Sequence, residues 1–426
     1  MKRNMLNQGV FMAIMGTLWL SGCQSIENPR HAPAVTIVTY GANAVSVWNE
    51  IATNTITVAP APSGTPEERR PTYAFDLATV NLAIYDAVIA IARTHQPYAI
   101  TPTTDSTGAS MEAAASAAAY GVLKGLFPSR SIIYQSTYNL LLATIPEGDA
   151  KTRGIALGAE VARGIIALRA NDGRDKPLAP YVSGTAPGKF RSDAPINRYF
   201  PYVRPFTLTS AAQFRPAGPP ALSSSAYAAD LNETKMLGSA NSAARDATQT
   251  EVARFHSEPP TISWSRNSRQ FATSHQNLAD NARLMAMIWV AHADAMIACF
   301  ESKYHFEFWR PTSAIALAEL AADPKWIPVV PTPNHPEYPA AHSCGAAATA
   351  ETVRIFFGTH QVSFKFDSTV PGSVVHRFTT TDELVNEMQA ARIHGGMHFR
   401  TATVDGAALG AKVARWSAAH HFQRRD

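Results

Sequence analysis

The sequence predicts an all-α protein made of two packed helical bundles, with one short β-hairpin. Three observations carry this expectation. From Tyr73 onward apolar residues recur at helical spacing almost throughout, as in Phe75, Leu77, Val80, Leu82, Ala83, Ala87 and Ile91. Several of these stretches are rich in alanine, a strong helix former whose small side chain lets helix backbones approach closely. Apolar–polar alternation marks residues 361–379, where Val362, Phe364 and Phe366 are followed, after Pro371-Gly372, by Val375 and Phe378.

Taken in order, residues 1–22 read as an export signal. Lys2 and Arg3 form a basic start, and Val10 to Leu20 an apolar core too short to span a bilayer comfortably. Leu20-Ser21-Gly22-Cys23 resembles the bacterial lipobox, which implies cleavage before Cys23, lipid on its sulfur and a membrane tether. Gln24 follows where Asp would signal inner-membrane retention, and by analogy that favours the outer membrane.

Residues 23–72 form a tether and N-terminal extension. They hold a β-branched run at Val35-Thr36-Ile37-Val38-Thr39, a helical pattern at Ala42–Ile51 and a Pro-rich connection at 58–72. Residues 73–225 are the expected N-terminal bundle, with helices from Tyr73 and at Ala113–Leu126, Ser131–Ile145 and Ala150–Ala170. Its Pro/Gly-rich part, 172–225, is expected to wrap the helices, anchored by Tyr181, Phe190, Tyr199, Phe200, Tyr202, Phe206 and Phe214. Residues 226–426 are the C-terminal bundle, with helices at Ala226–Leu237, Ala247–Phe255, Asn277–Trp309 and Ala340–Phe357, the last stopped by Gly358. Thr380 and Glu383 make a capping box for a helix ending at Gly395-Gly396, and Asp405 is expected to cap the final helix.

The chain of 426 residues, 46% hydrophobic and 16% charged, is long and apolar enough to bury a large core. Lys and Arg exceed Asp and Glu by only four, and by two without Lys2 and Arg3, too little to argue for nucleic acid. Beyond the signal no stretch reads as a long uncharged membrane span. The cysteines show no paired zinc pattern. Cys299 and Cys344 leave two alternatives, a disulfide in an oxidising compartment or two buried thiols.

The chemistry concentrates between Lys303 and His398. In KYHFEFWRP, Lys303 and Arg310 are seven residues apart, which on one helix puts both on one face before Pro311 ends it. Phe300, Phe306, Phe308 and Trp309 would enclose them. In HPEYPAAHSCGAAA, His342 falls in the first helical turn, where free N–H groups and the helix dipole favour an anion. In ARIHGGMHFR, Arg392 and His398 flank a Gly-Gly break that lets the chain fold sharply. Singly, each has a plainer explanation: a surface cation stripe, a core histidine, an ordinary helix stop. Together, three permanent cations and two imidazoles with no carboxylate matched to them suit a tetrahedral oxyanion such as phosphate or vanadate.

Lys-x6-Arg-Pro, then Pro-x-x-His-Ser, then Arg-x5-His resembles the signature shared by vanadium-dependent haloperoxidases and the type 2 phosphatidic acid phosphatase superfamily. QFRPAGPPAL (213–222), LGS (237–239) and FWRPTSAI (308–315) are similar to the bacterial haloperoxidase-like branch, and the resemblance covers most of residues 75–420. It implies two bundles of the haloperoxidase/acid phosphatase type. It also implies vanadate held by Lys303, Arg310 and Arg392, with His398 as the vanadium ligand and His342 as acid/base. Hydrogen peroxide and a halide or small organic molecule would be the substrates, with vanadium acting as a Lewis acid. The alternative is an acid phosphatase with a phosphohistidine at His398, acting on a phosphate ester. One departure stands out: Pro339-Ala340-Ala341-His342 replaces the usual Pro-Ser-Gly-His. A missing donor of this kind costs about 3 kcal/mol of transition-state stabilisation, which adds a third reading, a degenerate oxyanion-binding protein. His335, at a position where algal bromoperoxidases carry histidine, is read as a loop residue.

Overall fold

The computed structural model describes residues 34–57, 73–317 and 322–425. The export signal, the lipobox with Cys23 and the connection at 58–72 lie outside the described residues. Helices α1 (Ala44–Thr57), α2 (Tyr73–Ala92), α3 (Met111–Leu126), α4 (Ser131–Ala143) and α5 (Asp149–Arg169) precede the irregular wrap. After it come α6 (Ser225–Gly238), α7 (Ala247–Phe255), α8 (Pro260–Asn267), α9 (Leu278–Phe306), α10 (Pro311–Ala316), α11 (Ala341–Phe357), α12 (Thr381–His394) and α13 (Arg400–His420). Strands β1 (Val35–Thr36), β2 (Val362–Phe366) and β3 (His376–Phe378) form one small sheet. The expected hairpin is there, with Phe364 paired to Phe378. The β-branched run at Val35 adds a parallel edge strand to it.

α9 is the axis of the molecule. It packs against α2 on one side and against α11 and α13 on another. One apolar cluster runs from Trp48 and Phe75 through Trp289 and Phe300 to Val353 and Leu409. Both α2 and α9 are long and apolar enough to cross a membrane by length and composition, which the reading of the sequence missed. Of those windows 89% and 94% is buried inside the protein, the position of core helices apolar on every side.

The wrap is tied to α9 by one carboxylate. Asp294, fully buried, accepts from the backbone N–H of Phe206 (2.7 Å), Thr207 (2.7 Å) and Leu208 (3.2 Å), and from the Thr207 hydroxyl (2.6 Å). Those bonds satisfy a charge that would otherwise be prohibitive there. Phe190, Phe200 and Phe206 are buried as expected, whereas Tyr202 is exposed and lies under the ammonium of Lys176.

Helix ends differ from expectation where tertiary contacts decide them. α9 stops at Phe306, three residues early, because Glu307 turns left-handed (φ 50°) and donates its N–H to the Lys303 carbonyl. Arg310 therefore stands in an extended link before α10 and not on the helix face of Lys303. α13 begins at Arg400, five residues ahead of Asp405, whose carboxylate instead accepts from the Tyr338 hydroxyl. Its first turn is capped from elsewhere, by Glu337 on the N–H of Phe399 (3.0 Å) and by Asp230 on that of Thr401 (3.3 Å). The capping box of Thr380 and Glu383 and the Gly358 stop are as expected.

The turn between α12 and α13 is held in place by a close approach of two glycines. A Cβ on Gly238 would come within 2.4 Å of the Gly396 Cα, and Gly396 itself has φ +75°. The LGS run thus abuts the Gly-Gly break and fixes where the chain emerges toward His398.

Candidate active site

His398 sits on that turn, and its ring is oriented by a residue that sequence reasoning passed over. Its Nδ1 lies 2.9 Å from Glu337 Oε1, which also accepts the Phe399 N–H. Nδ1 therefore carries the proton, and Nε2 keeps a lone pair. That lone pair lies 3.1 Å from Nη1 of Arg310. Burial, then the charges of Arg310 and Lys303, hold His398 well below the ordinary imidazole range, so it is neutral. Burial pushes Glu337 up to about 7, against the pull of Lys303.

The three cations converge on the same interior. Lys303 is fully buried and its Nζ donates to the carbonyls of Pro336 and Glu337, both at 2.8 Å. Arg310 donates Nε to the His335 carbonyl (2.8 Å), Nη1 to the Met397 carbonyl (2.9 Å) and Nη2 to His335 Nδ1 (2.9 Å). Arg392 donates to the His256 carbonyl and touches the Met397 sulfur, and its buried Nε has no hydrogen-bond partner among the described residues. Burial lowers all three: Lys303 to about 8, Arg310 to about 10 and Arg392 to about 9. Three buried cations against the single carboxylate of Glu337 leave positive charge in excess. This corrects the expectation that no carboxylate accompanies them, but not its sign.

His342 is the second residue of α11, in the first turn as expected, and is half-buried. Its Nε2 lies 3.2 Å from the Glu258 carbonyl, so Nε2 carries the proton. Burial, then Arg392, keep it well below the ordinary imidazole range. Ala340 occupies the N-cap of α11, fully buried, with no side-chain cap bond. The Ser343 hydroxyl is buried and unpaired among the described residues. Cys299 and Cys344 are two free, buried thiols beside this site.

Residues that sequence reasoning missed supply the walls. His335 is buried, set edge-on to Phe300 at 5.0 Å and bonded to Arg310; its loop closes over the site. The link after α7 gives two carbonyls, from His256 to Arg392 and from Glu258 to His342. Glu337 had one readable sign, a lone carboxylate between two prolines in a cationic, aromatic stretch. No sequence pattern marks a backbone carbonyl as a ligand.

Residues 283–426 match the family model of the VCPO second helical-bundle domain. The vanadium chloroperoxidase of Curvularia inaequalis is 30% identical over 131 residues, which are 28% of this chain and 21% of that protein. Over these residues the chain is similar to the vanadium haloperoxidases. Its match to the curated vanadium chloroperoxidase spans about a fifth of that protein's length. Two solved structures share the fold of this chain. A bacterial vanadium-dependent iodoperoxidase has a TM-score of 0.74 at 23% identity, covering 91% of this chain and 100% of that one. A holo-type bacterial vanadium-dependent chloroperoxidase has a TM-score of 0.66 at 16% identity, covering 90% of this chain and 98% of that one.

The residues fit an oxyanion that also takes a nitrogen ligand, as vanadate does: an unpaired Arg392 Nε, excess buried positive charge and a lone pair on His398 Nε2. Glu337→Gln tests the orientation of that ring. It keeps the shape but replaces the ionisable carboxylate, and is expected to weaken orthovanadate binding about 10–100-fold. Calorimetric titration reads this directly; an unchanged affinity would show that Glu337 only caps α13.

Proposed function

We propose that this protein is a vanadium-dependent haloperoxidase-like enzyme, oxidising a halide or a small organic substrate with hydrogen peroxide at vanadate held by His398. The observation that carries this reading is the neutral His398 ring. Glu337 pins its Nδ1–H and turns the Nε2 lone pair toward Arg310, beside two further buried cations. Lys303, Arg310 and Arg392 would hold the oxygens through charge-assisted hydrogen bonds, and His398 Nε2 would be the protein ligand. Vanadate, when bound, supplies Lewis-acid activation of peroxide. His342 presents a proton on Nε2, held at the Glu258 carbonyl, and a basic Nδ1. Being neutral, it would first accept a proton at Nδ1, and the imidazolium so formed, disfavoured by burial and by Arg392, would give that proton up readily.

A second reading uses the same lone pair. His398 Nε2 would instead take a phosphoryl group from an ester, with the three cations on its oxygens and His342 protonating the leaving group. One experiment separates the two: dye bromination with peroxide and bromide, with and without orthovanadate, beside hydrolysis of a generic phosphate ester. Bromination that depends on orthovanadate supports the peroxidase. Ester hydrolysis inhibited by vanadate, with no bromination, supports the phosphatase. Neither activity, with tight oxyanion binding, would leave the degenerate binding protein.

Anion affinity should also depend on pH in a stated direction. Lys303, lowered to about 8 by burial, is a neutral amine above that pH. An oxyanion favours the ammonium form, so binding takes up a proton and weakens as pH rises beyond about 8, by up to about tenfold per unit. Phosphate titrations between pH 7 and 9.5 check this, since phosphate keeps one charge state over most of that range. A flat affinity would contradict it.

Export and a lipid anchor at Cys23, on the periplasmic side of the outer membrane, belong to the same proposal. Metabolic labelling with a fatty acid, lost in Cys23→Ser, tests them.

A further inference from the structure

We infer a divalent-cation site, of the kind that takes zinc, formed by His256, His376 and Glu387 and joined to the oxyanion cage through Arg392. The three come from distant parts of the chain: the C-cap of α7, strand β3 and helix α12. One ligand atom from each lies within 4.8 Å of the others. Glu387 Oε1 is 2.8 Å from His256 Nε2 and 2.7 Å from His376 Nδ1. Two ring nitrogens aimed at one carboxylate oxygen are what an ion between them would organise. Zinc held at about 2.0–2.1 Å by such ligands sets them about 3.3 Å apart, a small expansion of the present spacing.

Two further features suit a metal better than a plain hydrogen-bonded cluster. The remaining nitrogen of His376, Nε2, lies 3.1 Å from the Glu251 carboxylate of α7. A ligating histidine is commonly oriented by a carboxylate on its other nitrogen in this way. The His376 ring is also stacked on Phe255, with centroids 3.7 Å apart and planes 4° from parallel, so its direction is set. The electrostatics agree. His376 lies between two carboxylates, Glu251 and Glu387, a pair whose negative charge a divalent cation would offset. His256 is buried, while Glu387 and His376 keep side-chain exposures of 24% and 12%. That leaves a side of the cluster open to solvent.

The site has a consequence for the oxyanion cage, and this part rests on the function proposed above. The His256 carbonyl accepts a hydrogen bond from Arg392. An ion on the His256 ring would immobilise that residue and, with it, the guanidinium. His256 would then be a positioning residue for Arg392.

The test uses untagged full-length protein freed of metal with a chelator. It is titrated with zinc chloride by calorimetry and with cobalt(II) by absorption. One zinc per chain is expected, with cobalt bands of a four-coordinate site. Glu387→Gln and His376→Gln should each weaken binding at least about 100-fold, and the more exposed Glu251→Gln about tenfold. His398→Gln, in the oxyanion cage, should leave zinc binding unchanged. No stoichiometric binding by the wild type, binding undiminished by all three cluster variants, or binding lost in His398→Gln would each overturn the proposal. The zinc titration does not involve vanadate or turnover, so its failure is separate from failure of the proposed function. The coupling to Arg392 is read by orthovanadate affinity with and without zinc, and an unchanged affinity would remove that part alone.

Discussion

His398→Ala is expected to lower the proposed vanadate-dependent halogenation on the order of 10³-fold or more, while circular dichroism stays that of the wild type. The loss has one cause. Nε2 carries the lone pair that Glu337 and the turn after Gly396 hold toward Arg310, and alanine removes it. The three cations remain, so an oxyanion can still be attracted, but without the nitrogen ligand it is neither anchored nor oriented. A factor of 10³ corresponds to about 4 kcal/mol of transition-state stabilisation. Folding should survive, because Glu337 keeps its bond from the Phe399 N–H and both flanking helices keep their packing. Dye bromination and orthovanadate calorimetry on one preparation give the answer. Activity within tenfold of the wild type would place the chemistry elsewhere.

Arg392→Met is expected to separate activity from stability. Turnover should fall about 10²–10³-fold, since one of three charges on the oxyanion is lost. The melting temperature of the anion-free protein should hold or rise. Arg392 is fully buried, has an Nε without a partner among the described residues and stands near the like charge of Arg310. Burying an imperfectly paired charge is costly, and a methionine of similar length removes that cost while giving up the bond to the His256 carbonyl. Orthovanadate at 100 times its dissociation constant should stabilise the wild type by about 2.7 kcal/mol, and the variant much less at the same concentration. A variant that loses stability and activity together would mark Arg392 as part of the scaffold.

Much of the helical framework was readable because its signals are local. Period, alanine content, the Thr380–Glu383 capping box and the Gly358 stop place α3, α7, α11 and α12 within a residue or two. Five residues were named from the sequence as an oxyanion cage, and the structure brings Lys303, Arg310, Arg392 and His398 into one buried interior, with His342 at its edge. The misses share a physical origin. α9 ends where Glu307 adopts a left-handed turn, and α13 starts where Glu337 and Asp230 cap it from other segments. α8 and the carbonyls of His256 and Glu258 carry no side-chain pattern at all. His256, His376 and Glu387 have no common spacing, so no motif could reveal them.

By itself the sequence determined most of the segments that coil into helices and which side chains bring positive charge and imidazole to the molecule. Those properties depend on residue type and near-neighbour spacing. Only the tertiary structure decided how that charge is held: Glu337 turning His398, the link after α7 receiving Arg392 and His342, and the Gly238–Gly396 contact aiming the last turn. Each depends on atoms far apart in the chain, and burial makes their few hydrogen bonds decisive by removing the water that would otherwise compete for them.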